Sequence, residues 1–376
     1  MRVVVAPDCF TGTLSAREAA EAIAAGWSER APGDELVLRP LADGGPGFVE
    51  VLHTVLGGIL HPLTVTGPLG EPVPAEWLEV DGTCYLESAH AVGLHLVPEA
   101  KRAVGCEEAT SYGVGELLSA ARERGVHTIV VGLGGSASTD GGAGMLAALG
   151  ATPLDDAGTP LPSGGTALAR CARLAQPPPA GLPRLVLASD VESPLLGEYG
   201  AARMFGPQKG ADAAAVDRLE AGLSRWAEVL AAAGTDIRGE PGGGSAGGLG
   251  AGLLALGAQR VSGAALVREH TGLDAELTRA ELVLTGEGSF DWQSLRGKLI
   301  TAVAAGAAER GVPCLVLAGQ VSVGRRQAAS VGVDTAYAVA EHAGSAEAAL
   351  ADPAGTLSAL ARDIAGQWSL GGGQRN

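Results

Sequence analysis

Lysine is nearly missing from this chain of 376 residues: only three occur among 26 basic residues. Two of them, Lys209 and Lys298, sit in the glycine-flanked segments Phe205-Gly-Pro-Gln-Lys-Gly210 and Leu295-Arg-Gly-Lys298. A compact ammonium where the backbone can approach a ligand closely suggests phosphate, with solvated surface cations as the ordinary alternative. Aromatic residues are equally scarce at 3%, so the core must be built from Ala, Val and Leu. No run of Lys or Arg exists, and the net charge is −16, which excludes nucleic acid and anionic membrane surfaces as partners. The five cysteines are odd in number and widely spaced, without a C-x-x-C pair, which excludes a disulfide framework or a zinc site. The seven histidines form no metal-spaced pair. No apolar run approaches the roughly 18 residues of a membrane span, and residues 2–6 are too short for a signal peptide. A cytoplasmic protein is the expectation.

What is present is alternation. Short β-branched runs at 2–6, 35–38, 128–132, 184–188, 281–285, 313–318 and 335–339 read as strands buried on both faces, hence a parallel sheet. Helical stretches lie between them. Ser15 and Glu18 form a capping box ahead of Ala19, Ile23 and Trp27, and Val216, Leu219, Leu223, Trp226 and Leu230 mark a second helix stopped by Gly234. Residues 63–88 differ, since their alternating pattern around Asp81-Gly82 predicts antiparallel hairpins. The expected architecture is two-domain α/β. One doubly wound parallel-sheet domain would be made from 1–60 and 275–376, and a mixed α/β domain with hairpin strands would be inserted at 61–274.

Three predicted strands deliver acids or glycine loops to their C-terminal ends, where open α/β sheets bind ligands. After the run at 128–132 come Gly134, Gly135, Ser136, Thr139, Asp140, Gly141 and Gly142, whose backbone N–H groups could cradle phosphate with help from a following helix. A glycine-rich turn capped by Thr139 or Asp140 is the alternative. The G-x-x-x-x-G-K-[ST] element is absent, which excludes a P-loop. The glycines at 242–247 satisfy G-x-G-x-x-G but follow no strand, so they read as a flexible lid or turn. Asp190 follows the 184–188 run and could be a base or a loop anchor. Glu287 and Asp291, four residues apart between glycines, could meet on one turn and hold Mg²⁺ through water, or cap a helix beginning near Leu299. Asp8 and Asp43, the latter followed by Gly44 and Gly45, end predicted strands and suit a small polar substrate. Trp292 reads as a packing residue, with base stacking as the alternative, and Ser111 as the cap of a helix running to Arg124.

Taken together, Ala6-Pro-Asp8, Ala42-Asp-Gly-Gly45, Val65-Thr-Gly-Pro-Leu-Gly70, Gly134-Gly-Ser-Ala137, Thr139-Asp-Gly-Gly-Ala-Gly144, Ser189-Asp-Val191, Phe205-Gly-Pro-Gln-Lys-Gly210 and Thr285-Gly-Glu-Gly288 resemble the type I glycerate kinases, in order from residue 1 to about residue 320. The resemblance implies a flavodoxin-like (Rossmann-like) domain made from both chain ends, a second α/β domain, and an active site in the cleft between them. It also implies an ATP- and Mg²⁺-dependent enzyme that phosphorylates D-glycerate to 2-phosphoglycerate. On that template the glycine loop holds ATP phosphates, and Lys209 and Lys298 neutralise the transferring group. Glu287 and Asp291 orient Mg²⁺, Asp190 is the base, and Asp8, Asp43, Gly44 and Gly45 shape the glycerate pocket. The chain departs from the family pattern at Thr11, where Lys is common, at Pro46, where Glu is usual, and at Ser289, where Arg is frequent. Another small hydroxy acid, the 3-hydroxyl, or a non-catalytic metabolite-binding relative therefore remain alternatives, and a homodimer stays open.

Overall fold

The computed structural model of the protein describes residues 1–10, 12–292, 294–295 and 299–369. The chain divides into two compact units, one of Met1–Ala42, Glu50–Val55 and the chain from Ala264 onward, the other of Asp43–Val49 and Leu56–Gly263. Residues 43–49 and 56–60, placed with the first unit on sequence, belong to the second. Ile59 is already paired with Glu79 across a hairpin there. Residues 264–274 go to the first unit instead, where Arg268 holds Asp274 at 2.5 Å.

In the first unit, β1 (Arg2–Val5), β2 (Glu35–Leu38), β11 (Leu282–Phe290), β12 (Cys314–Val321) and β13 (Thr335–Ala338), numbered in chain order, form one sheet. All its pairs are parallel and its order is β13-β12-β11-β1-β2, the flavodoxin-like arrangement. Purely apolar strands such as Leu282-Val-Leu284 are buried on both faces because helices cover them. The helix Ala16–Arg30 starts at the anticipated Ser15/Glu18 capping box and buries Ile23 and Trp27. Gly26 is required where that helix meets the helix Pro353–Trp368, since a Cβ there would overlap the Ser358 carbonyl oxygen. Trp27 donates its indole N–H to Asp34, which also grips the N-terminal ammonium at 2.6 Å. That tie raises the pKa of the amine and lowers that of Asp34.

The second unit holds β3 (Ile59–Thr66), β4 (Pro72–Val80), β5 (Thr83–Glu87), β6 (Thr128–Gly132), β9 (Arg184–Ala188) and β10 (Gln259–Val261) in the order β10-β9-β6-β5-β4-β3. The hairpin strands β3 to β5 are antiparallel, and β5, β6, β9 and β10 run parallel. A small antiparallel pair, β7 (Pro153–Leu154) with β8 (Arg173–Leu174), stands apart. The helix Ala213–Ala232 is capped by Asp212 and buries Leu219, Leu223, Trp226 and Leu230, the stripe seen in the sequence. Each such large apolar side chain contributes about 1.5–3 kcal/mol on burial.

One element differs from its expectation. The run at 281–285 does not end in a glycine loop, because β11 continues to Phe290 through pairs such as Glu287↔Ala318 and Ser289↔Gln320. Glycine tolerates extended backbone when a neighbouring strand supplies the hydrogen bonds, so local composition was overridden by tertiary pairing.

Candidate functional site

Four parallel strands of the second unit end at the same sheet edge. β5 delivers Glu87, β6 leads to Gly134 and Gly135, β9 to Ser189 and Asp190, and β10 to Ser262. The segment 43–47 crosses these ends at van der Waals distance. A Cβ on Gly44 would lie 2.5 Å from the Ala188 carbonyl oxygen, and one on Gly134 would lie 2.5 Å from the Gly45 Cα. The Asp-Gly-Gly composition is thus explained by backbone crossing backbone. Asp43 accepts from the Gly45 N–H at 3.0 Å, and Asp190 accepts from the Ser262 hydroxyl at 2.5 Å. Asp43, Gly44, Gly45, Gly134, Gly135 and Asp190 are therefore brought together. Ser262 joins them as a residue sequence reasoning missed.

Glu87 was missed as well. It is 3% exposed, accepts from the Gly47 and Val49 N–H groups at 3.0 and 3.3 Å, and has His90 Nε2 at 3.7 Å. Burial raises its pKa, opposed by the His90 charge and by those backbone donors. A carboxylate directly after the apolar run Cys84-Tyr-Leu86 was the available signal, at a strand end like that of Asp190.

The glycine-serine loop is mostly internal. Gly134 and Gly135 reach solvent, whereas Ser136 to Ala143 are buried. The following helix, Ala143–Ala148, already has an anion at its N-terminus. Asp140 accepts from the Ser111 N–H and hydroxyl at 2.7 and 2.8 Å and from the Gly142 and Gly144 N–H groups at 3.1 Å. Ser111 accepts from the Met145 N–H at 2.9 Å, so it caps this helix rather than the one it precedes. Burial pushes the Asp140 carboxyl above its usual range, and those four donors pull it back. Asp140 thus already engages the N–H groups at the start of this helix, as a glycine-rich turn capped by Asp140 would have it.

Lys209 lies beneath the same loop. Its ammonium, in a side chain 3% exposed, donates to Ser138 O at 2.5 Å, Ser136 Oγ at 3.1 Å and Thr139 Oγ1 at 3.5 Å. Burial brings its pKa down to about 7, against the upward pull of Asp140. In this arrangement the ammonium is engaged with the loop from below. Ser136, Thr139 and Lys209 form an internal cluster. Gly141 and Gly142, both at positive φ, pack against Trp226 and Gly252. The 242–247 glycines are no lid either, since Gly242, Gly243 and Gly244 are buried and a Cβ on Gly250 would overlap the Gly242 carbonyl.

In the first unit, Asp8 follows β1 and donates its N–H to Gly286 O at 2.8 Å, which sets it beside the Glu287 stretch of β11. Its carboxylate accepts from the Cys9 N–H at 2.7 Å. Glu287 and Asp291 do not share a turn. Extended backbone of about 3.3 Å per residue puts their Cα atoms roughly 13 Å apart. Among the described residues no group of three His, Cys, Asp or Glu side chains converges as a metal cage. A Mg²⁺ ion here would keep mostly phosphate and water ligands and meet one carboxylate, not a chelating pair. Trp292 is 58% exposed, which is not a packing position. Lys298, Thr11 and Gln293 lie outside the described residues.

Comparison with known proteins adds an independent finding. The model of the glycerate kinase family matches residues 3–369. An uncharacterized protein of Mycobacterium bovis is 49% identical over 97% of this chain and 91% of its own length. Glycerate 2-kinase of Escherichia coli is 40% identical over 99% of each chain. A crystal structure from Salmonella typhimurium LT2, provisionally named glycerate kinase 2, superposes with a TM-score of 0.77 at 37% identity over 98% of both chains.

Proposed function

The chain belongs to the glycerate kinase family, and we propose that it transfers the γ-phosphoryl group of ATP to the 2-hydroxyl of D-glycerate, releasing 2-phosphoglycerate and ADP. The observation that carries this reading is the shared strand edge of the second unit. There the half-buried Gly134 and the exposed Gly135, the Asp190–Ser262 pair and the Asp43-Gly-Gly45 crossing segment meet. Two glycines with accessible backbone face the anion, and a hydrogen-bonded carboxylate stands by to accept a hydroxyl proton.

In this assignment Asp190 is the base, held in one rotamer by Ser262. It accepts the proton late, as the hydroxyl oxygen bonds to phosphorus and the bond to the ADP oxygen breaks. Asp43, Gly44 and Gly45 orient the glycerate, and Asp8, which follows β1, is proposed as a substrate-binding carboxylate. Gly134 and Gly135 contact the phosphate chain, while Ser136, Thr139, Asp140, Gly141, Gly142 and Lys209 keep that loop in shape. Glu287 and Asp291 are proposed as acids that Mg²⁺ meets singly. The metal, when bound, neutralises charge on the phosphates. Lys298 retains its assigned role toward the nucleotide. Five free cysteines, four of them buried, support a reducing cytoplasmic setting. Among the described residues no helix is long and apolar enough to cross a membrane.

The test is a coupled assay of ADP release. Release should require glycerate and Mg²⁺ together, and phosphorus NMR should place the product phosphate on the 2-hydroxyl. ADP release without glycerate, or a hundredfold preference for another hydroxy acid, would retire the assignment.

A further inference from the structure

We infer that the first unit carries the binding pocket for the adenine ring of ATP, at the C-terminal ends of β1, β11, β12 and β13; the inference rests on the kinase reading above. A cavity of about 350 Å³ opens there, within the size range of small-ligand sites. Its walls include Phe10 after β1, Ser289 of β11, Gln320 of β12, Val339 after β13, and Leu350 and Leu357 from the covering helices. None of the described residues lining it is charged.

That chemistry selects among the parts of the two substrates. Glycerate and the triphosphate are anions, and no described lining side chain is a cation that would offset the cost, on the order of several kcal/mol, of burying either. Adenine is neutral, planar and apolar on both faces. Gly288 and Gly319 sit side by side on β11 and β12, and a Cβ on Gly319 would lie 2.5 Å from the Gly288 carbonyl oxygen. They leave a shelf of bare backbone on which a flat ring can lie. The exposed Gln320 amide offers both a donor and an acceptor, as a purine edge requires. Leu350 is 63% exposed at the rim, an apolar side chain that a bound ring would cover. The location is the strand-end crevice that flavodoxin-like sheets use for ligands. A larger cavity of about 970 Å³ in the second unit carries Glu71, Glu107 and Glu108 together with Lys101 and Arg170 on its wall, a charged lining that suits a neutral ring less well.

The test uses calorimetric binding of MgATP and of adenosine to the full chain, together with steady-state kinetics. Ala346→Trp and Leu350→Asp alter exposed lining positions. Glu347→Trp, exposed but outside the lining, is the control. Both lining variants should lose tenfold or more in affinity for MgATP and adenosine, while the KM for glycerate stays within twofold and Glu347→Trp binds as wild type. Wild-type affinity in Ala346→Trp, or an equal loss in Glu347→Trp, overturns the assignment and leaves the kinase reading standing. Wild-type protein that binds MgATP through this pocket yet releases no ADP with glycerate overturns the kinase reading instead.

Discussion

Replacing Lys209 by methionine isolates the cost of burying one ammonium. The folded pKa of about 7 lies below the ordinary lysine value of 10.5. Between those values the unfolded chain holds a proton at this site that the folded chain does not. Stability therefore rises with pH across that window, by about 1.4 kcal/mol per unit. Below the folded value both states are protonated, and the wild type carries the full deficit of about 5 kcal/mol relative to alkaline conditions. Methionine does not titrate. It leaves the buried Ser138 carbonyl without its 2.5 Å donor, a loss of about 1–3 kcal/mol that does not depend on pH. Urea unfolding followed by circular dichroism should show the stability difference, wild type minus Lys209→Met, moving by about 2 kcal/mol in favour of the wild type between about pH 8.0 and about pH 9.5. It should be flat below about pH 7. A difference that stays constant across the alkaline interval would refute the reasoning, because it would mean that Lys209 keeps an ordinary pKa and that the loop does not enclose it.

Other perturbations are more local. Asp190→Asn should lower kcat by roughly 10²–10⁴-fold with an unchanged fold by circular dichroism, and near-wild-type turnover would remove it as the base. Gly247→Ala places a Cβ that overlaps the Ser138 carbonyl, 2.8 Å from Lys209 Nζ, at a φ of +69°. A loss of about 3 kcal/mol or more should appear in thermal melts. Glu87 has a raised pKa, so below that pKa the folded state binds a proton the unfolded state lacks, down to the ordinary Glu value. The wild type should gain stability relative to Glu87→Gln as pH falls through that window, and the same variant should raise the KM for glycerate.

The parts of the fold that could be read from the chain are those in which local and tertiary forces agree. The Ser15/Glu18 box and the Ala19, Ile23, Trp27 stripe identified a helix because capping and burial act within one turn. The hairpins were visible because alternation and the Asp81-Gly82 turn both lie within thirty residues. At the candidate site the same logic found strand-end glycines and Asp190, but it could not say which way a loop faces. Asp140 looks like a ligand-binding residue in one dimension. In three it is spent on Ser111, Gly142 and Gly144. Glu287 and Asp291 looked close at a separation of four, and pairing of β11 with β12 as far as Phe290 drew the residues between them into extended backbone.

Composition, period and motif order by themselves determined the α/β class, the interrupted first domain and the family likeness, since these depend on chemistry carried by contiguous residues. Which carboxylates gather at a strand edge, the enclosure of Lys209 and where a cavity opens were decided only when residues such as Ser111 and Asp140, or Gly288 and Gly319, met across long stretches of chain. Burial and hydrogen-bond saturation are properties of such encounters, and no single segment contains them.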